Sequence, residues 1–231
     1  MSSVGNLALA GPAGFYSRMA SKSDKVRWGV LGYARIAHQS VIPAILRSGN
    51  STFHALASRD EGKLAESRAR FPGGHRTCRG YAELLADPEV EAVYIPLPNS
   101  QHREWTLRAA ERGKHVLCEK PIALNAAECR EMIAACAANG VKLMEAFMYR
   151  YTDRTRRVVE VLRSGTLGEV KFVEACFRYP LTNPASIKLQ PGLGGGALYD
   201  VGCYAVNFCG LVADLAAGAA PGAATPESVS V

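Results

Sequence analysis

Short apolar runs alternate with longer amphipathic stretches from Val26 to Met148. The runs at 26–31, 52–58, 92–95, 115–118 and 141–147 read as strands, and the stretches at 35–47, 61–70, 81–85, 103–112 and 126–138 read as helices. Strand and helix in regular alternation mark repeated βαβ units, so residues 25–150 are expected to form a Rossmann-type, doubly wound parallel sheet. Beyond Arg150 the rhythm changes. A helix at 154–164 and an alternating strand at 170–178 open a second, α+β domain over 151–231 with an open, mostly antiparallel sheet. A Pro- and Gly-rich loop from Pro180 to Gly196 follows, then an apolar helix over 197–212, a loose segment over 213–226 and the start of a strand at 228–231. One complete strand is visible in this second sheet, whereas a stable sheet takes about three; the second domain is therefore expected to be incomplete and the chain cut short.

Composition is that of an ordinary globule: 231 residues, 48% hydrophobic and 21% charged. The net charge of +6 is spread over helical segments, without a basic tract interleaved with aromatics, so nucleic acid is not an expected partner. The excess suits an anionic cofactor or a solvated basic surface. Seven cysteines at irregular spacing, with no C-x-x-C pair, indicate neither a metal site nor a disulfide framework, and point to a reducing, cytoplasmic setting. Residues 1–24 faintly resemble a transit peptide and are expected to be a disordered extension; their longest apolar run, Leu7 to Ala10, is too short for a membrane span.

Chemistry concentrates at predicted strand ends. The first strand leads into Gly32-Tyr33-Ala34-Arg35-Ile36-Ala37, a fit to G-x-G-x-x-G/A with alanine at the second glycine. Gly32 permits the tight turn, and the following backbone can approach a pyrophosphate at a helix N-terminus. The second strand ends at Ser58-Arg59-Asp60, where an arginine accommodates the 2′-phosphate of NADP and an acid would instead bind the ribose of NAD. NADP is favoured, with NAD the alternative; Asp60 also suits a helix N-cap. In Pro96-Leu97-Pro98-Asn99-Ser100-Gln101-His102, Pro98, Asn99 and His102 are placed beside a nicotinamide, although Asn99 or Ser100 also suits a helix cap. The run at 115–118 exits through Glu119-Lys120-Pro121, which puts Lys120 at a ligand crevice and Glu119 next to it. Asp200 and Tyr204, four apart in the apolar helix after Gly194-Gly195-Gly196, share one face.

Four motifs in order, Val30 to Ala37, Glu119-Lys120-Pro121, Glu145-Ala146-Phe147-Met148-Tyr149-Arg150 and Gly195 to Tyr204, resemble the Gfo/Idh/MocA family of NAD(P)-dependent oxidoreductases over about 26–212. The resemblance implies hydride transfer between NADP and a sugar or diol carbon. It implies that Lys120 contacts nicotinamide and substrate, and that Asp200 and Tyr204 bind substrate and shuttle its proton. Tyrosine at 204 resembles the branch with NADP-dependent xylose and dihydrodiol dehydrogenases, whose full-length members are expected to be homo-oligomers. A nearby Lys120 is expected to lower the Tyr204 pKa from its ordinary value near 10. The other readings are a non-catalytic NAD(P)-binding regulator and a truncated, inactive homologue. Thr152-Asp153 replaces the His-Pro pair common in the family.

Overall fold

In the computed structural model, which describes residues 25–220 and 222–229, six parallel strands form one sheet. These are β1 (Val26–Leu31), β2 (Ser51–Ala57), β3 (Arg76–Cys78), β4 (Ala92–Ile95), β5 (His115–Cys118) and β6 (Leu143–Glu145), in the order β3-β2-β1-β4-β5-β6. Successive residues feed opposite faces, as the period of a strand requires. Val30, Leu56 and Tyr94 pack on one side with Ile42, Phe53 and Leu64. Leu31, Val93 and Ile95 pack on the other with Leu84, Ala109 and Met132. Burial on both faces is why the strands read as unbroken apolar runs.

The crossovers are α1 (Ile42–Arg47), which continues a π-helical turn at Ala37–Val41, then α2 (Glu61–Arg70), α3 (Tyr81–Leu85), α4 (His102–Glu111) and α5 (Ala126–Ala138). Strand β3 is absent from the sequence reading because Arg-Thr-Cys is short and carries no apolar run. Asp60 accepts the Lys63 N–H at 3.2 Å and caps α2, and Asn125 does the same for α5 from Glu128.

Past residue 150 the structure corrects the expectation. Helix α6 (Asp153–Arg163) forms, with Thr152 accepting the Thr155 N–H, but 170–178 joins no ladder. Among the described residues no second sheet is present, because an extended segment without a neighbour has nothing to receive its N–H and C=O groups. The alternation survives in one respect: Phe177 turns inward to a cavity while Phe172 is 81% exposed. Residues 228 and 229 form no strand, and 230 and 231, like the expected extension at 1–24, lie outside the described residues.

The last helix, α7 (Cys203–Ala216), continues a π-helical turn at Leu198–Gly202. The stretch Pro191–Ala216 is long and apolar enough to cross a membrane, and little of it is buried. Two of its polar side chains nevertheless reach the Rossmann unit. Asn207 Oδ1 accepts from Tyr149 OH at 2.6 Å and Arg150 Nε at 2.8 Å, and Tyr199 OH donates to Leu124 O at 2.6 Å.

Candidate active site

Strand order reverses direction between β1 and β4, and a sheet opens its ligand crevice at that point, beyond the strands' carboxyl ends. The turn after β1, the loop after β4 and the exit of β5 meet there. The π-helical turn and the loop from Tyr179 to Gly196 close the opposite wall. The resulting open cavity is about 490 Å³ and is lined by Ala34, Arg35, Ile36, Asn99, Glu119, Lys120, Asp200 and Tyr204 among the residues expected from sequence. Chain segments separated by more than 160 residues thus meet in one place.

Gly32 has φ +103°, and a Cβ there would stand 2.9 Å from Leu97 Cδ2. Only glycine fits both the left-handed backbone and the gap. Among the described residues no side chain caps the π-helical turn at Ala37–Val41 and no acidic residue occupies its first turn, an arrangement that suits an anion at the helical start. Ser58 is buried at the tip of β2, its Oγ accepting the Asp60 N–H at 3.1 Å. Arg59 is exposed, with its guanidinium 5.8 Å from the Tyr81 ring centroid.

Three expected cofactor contacts lie elsewhere. Tyr33 is in the core, stacked on His38 at 4.8 Å between ring centroids, because its side chain points away from the turn's open face. Pro98 is half-buried behind the cavity wall, at the start of the turn Asn99–Gln101. His102 is wholly buried, with Nδ1 2.9 Å from Pro121 O and Nε2 2.9 Å from Leu97 O. It ties the loop after β4 to the loop bearing Lys120 instead of facing a ligand. Burial pushes its pKa down, against the pull of the surrounding carbonyls. His102→Ala is expected to cost about 2–4 kcal/mol in denaturant unfolding, from the lost ring and the stranded carbonyls. Asn99 caps no helix; its Nδ2 donates to Gly194 O at 2.8 Å and fastens the two walls together.

Lys120 follows β5 through a cis peptide to Pro121. Its Nζ donates to the Asp200 backbone carbonyl, lies 3.7 Å from Asp200 Oδ1, and stands 4.9 Å from the Tyr204 ring centroid. Glu119 divides its carboxylate: Oε1 accepts from Tyr94 OH at 2.5 Å and Oε2 from the Lys120 backbone N–H at 3.3 Å. Burial raises the Glu119 carboxyl's pKa against those hydrogen bonds. Asp200 shows the reverse balance. Burial alone would raise its pKa, but hydrogen bonds from Tyr179 and Lys188, with the charges of Lys188 and Lys120, hold it below the usual carboxylate range.

Tyr204 packs edge-on to Phe147 and Phe177, each 5.4 Å between ring centroids, and its OH points to Met148 Sδ at 3.9 Å. Burial, then the negative charge of Glu119, pushes its phenol up to about 12. This overturns the expected lowering by Lys120: the ammonium faces the ring, not the oxygen, and its hydrogen bond goes to the Asp200 backbone carbonyl. The sequence reading also missed Tyr179 and Lys188, which both line the cavity. Tyr179 continues the inward alternation of Phe177, a signal that was present, whereas Lys188 sits in an irregular turn with no periodicity to mark it.

A family model described as "Oxidoreductase family, NAD-binding Rossmann fold" matches residues 26–147, and the GFO/IDH/MocA C-terminal domain matches 155–217. D-xylose 1-dehydrogenase (NADP(+)) 2 of Haloferax volcanii is 45% identical over 181 residues, 78% of this chain and 55% of the relative. Trans-1,2-dihydrobenzene-1,2-diol dehydrogenase of Xenopus laevis is 36% identical over 80% of this chain and 56% of its own length. The crystal structure of KijD10, a 3-ketoreductase from Actinomadura kijaniata in complex with NADP and TDP-benzene, superposes with a TM-score of 0.77 at 36% identity, over 81% of this chain and 57% of that one. The chain thus spans a little over half the length of these relatives. With both family models matched in order and a Rossmann sheet presenting Lys120 to Asp200 and Tyr204, the chain belongs to the Gfo/Idh/MocA oxidoreductase family.

Proposed function

We propose that the protein is an NADP-dependent oxidoreductase acting on the hydroxyl or carbonyl carbon of a sugar or related diol, in a reducing, cytoplasmic compartment. The observation that carries this reading is the cavity in which Lys120, delivered by the Rossmann sheet, meets Asp200 and Tyr204 from the helix opposite. The named activities and cofactors of the relatives agree with it, and all seven cysteines are free thiols.

The fit to the cofactor rests on the chain itself. Gly32, Ala34, Arg35 and Ile36 would hold the pyrophosphate at the uncapped helical start, and Ser58 with Arg59 would hold the 2′-phosphate. Bound NADP supplies a hydride acceptor, or in its reduced form a donor, at nicotinamide C4. Lys120 donates a hydrogen bond to the substrate's reacting oxygen and offsets the charge that develops on it. In oxidation the deprotonated Tyr204 oxygen takes the hydroxyl proton and becomes the neutral phenol; in reduction the neutral phenol gives that proton to the carbonyl oxygen. Asp200 accepts from a neighbouring substrate hydroxyl and fixes the ring's orientation. Met148, Phe177, Ile187 and Leu193 give the cavity wall an apolar stretch against which a sugar or diol carbon face can pack. Full-length relatives are expected to associate as homo-oligomers, and the exposed side chains of Phe172, Leu198 and Val206 suit such an assembly.

The raised Tyr204 pKa fixes the pH dependence. Below about 12 the resident form is the neutral phenol, which is the competent acid for reduction and the incompetent base for oxidation. Oxidation is therefore expected to rise steadily with pH from 7 to 10, by up to about tenfold per unit, while reduction stays flat. Steady-state assays at 340 nm with NADP and a panel of aldoses and diols test the reading. Sugar-dependent reduction of NADP supports it, and tight NADP binding with no absorbance change under any substrate contradicts it in favour of a nucleotide-sensing regulator.

A further inference from the structure

Asp200 is held by more than the lysine its motif implies. Its Oδ1 lies 2.9 Å from Lys188 Nζ, and its Oδ2 accepts from Tyr179 OH. Tyr179 OH in turn accepts from Lys188 Nζ at 2.8 Å, and that ammonium stands 5.0 Å from the Tyr179 ring centroid. Ammonium, carboxylate and phenol thus close a ring of three contacts on the cavity wall. Lys188 comes from the turn Ile187–Leu189, where Ser186 accepts its N–H. Its carbonyl accepts the Gly196 N–H at 2.8 Å, which fixes the turn to the glycines just before Asp200. A Cβ on Gly195 would lie 2.7 Å from Gln190 N and 2.8 Å from Ile187 O, so the close approach of turn and glycine run requires that glycine.

Two cations, Lys188 and Lys120, compete for one carboxylate. The nearer, Lys188, makes the hydrogen bond to the carboxylate, whereas Lys120, 3.7 Å from Oδ1, donates to the Asp200 backbone carbonyl and keeps its other ammonium protons free of the carboxylate. Resting on the oxidoreductase reading, we propose that Lys188 and Tyr179 are a positioning pair that occupies the Asp200 carboxylate and so leaves the Lys120 ammonium available to the substrate's reacting oxygen. Without Lys188, the attraction between unlike charges in a half-buried site draws Lys120 onto Oδ1 and away from its task. The other titratable groups that act with Asp200 are Cys203 and Tyr204 on its own helix. None of these donates a hydrogen bond that would replace Lys188's.

The test uses Lys188→Met, Lys188→Arg and Tyr179→Phe in the intact protein, with two readouts. The first needs no turnover: a pH titration of the Asp200 carboxyl by carbon-13 NMR, assigned through Asp200→Asn. Removing the ammonium removes a donor to the ionised form, so the midpoint moves upward, by about one pH unit in Lys188→Met, less in Tyr179→Phe, and back toward wild type in Lys188→Arg. The second is steady-state kinetics, where Lys188→Met lowers kcat by roughly ten- to a hundredfold with the KM for NADP unchanged, and Lys188→Arg restores most of it. An Asp200 midpoint identical in wild type and Lys188→Met overturns the pair whatever the activity. A shifted midpoint with undiminished kcat overturns its link to Lys120. A wild-type protein that shows no NADP-linked turnover fails the oxidoreductase reading instead, and the titration still decides who holds Asp200.

Discussion

Tyr204→Phe is expected to lower kcat for NADP-dependent oxidation of the best aldose by about two to four orders of magnitude, the usual contribution of one positioned proton-transfer group. The ring stays where it is, because its packing against Phe147 and Phe177 uses carbon edges and the OH has only the weak Met148 Sδ contact to lose. Stability therefore changes by less than about 1 kcal/mol, within the range of a surface substitution. The pH dependence of the residual oxidation should flatten, since the group that must deprotonate is gone. Lys120→Met added to Tyr204→Phe should cost less than the product of the single effects, because residues that act on one oxygen as a unit are non-additive. Rates measured with saturating NADP separate this from weakened cofactor binding; turnover like wild type in the double variant contradicts the assigned roles.

The second large effect lies at the turn after β1. Gly32→Val is expected to destabilise the protein by about 2–4 kcal/mol, from a β-branched residue forced into left-handed backbone and from overpacking. The added side chain meets Leu97 Cδ2 on one side and approaches the Tyr81 hydroxyl on the other. Both belong to the core that supports the carboxyl ends of β1 and β4. Relief would come by shifting the turn, which moves the amides of Ala34 to Ile36 out of the cavity. NADP affinity, measured by protein fluorescence titration, should fall more than about tenfold, and NADP should no longer raise the unfolding temperature. A variant that unfolds at the wild-type temperature and still gains stability from NADP contradicts the assignment of this turn to the pyrophosphate.

Where the chain signalled its structure, it did so through periodicity. Parallel strands buried on both faces leave apolar runs, and Val26–Leu31, Ala92–Ile95 and His115–Cys118 stand where those runs are. The position of Lys120 followed from the end of such a run, and the common face of Asp200 and Tyr204 followed from helical spacing. Arg76–Cys78 escaped because an edge strand of three polar-rich residues has no period to detect. The alternation over 170–178 suggested a strand with one face packed and one exposed, yet no residue there is buried, because pairing needs a neighbour that local pattern does not encode. His102 was misread for a related reason. A histidine after a strand looks the same whether it faces ligand or carbonyls, and only the approach of Leu97 and Pro121 from separate loops decides between them. Lys188 is the sharpest case: its partner Asp200 is twelve residues on, across an irregular turn whose path depends on Gly195.

The charge balance of the cavity also had to come from geometry. Lysine near tyrosine implied a lowered phenol pKa, but distance to a ring is not distance to its oxygen. With Lys120 directed at Asp200, burial and Glu119 dominate at Tyr204 and the phenol is held neutral. On the proposed oxidoreductase reading, that makes Tyr204 a resting acid suited to carbonyl reduction and leaves oxidation dependent on alkaline pH or on substrate and cofactor changing the local field.

The central claim is that Lys120, Asp200 and Tyr204 line a site where hydride passes directly between a substrate carbon and nicotinamide. It is tested most directly by incubating the protein with NADP and a C1-deuterated aldose it turns over and reading the reduced cofactor by proton NMR and mass spectrometry. The account predicts one deuterium per turnover at nicotinamide C4, on a single face, with a primary isotope effect on the chemical step. Reduced cofactor free of deuterium, or no reduced cofactor from any aldose or diol despite NADP binding, would contradict it.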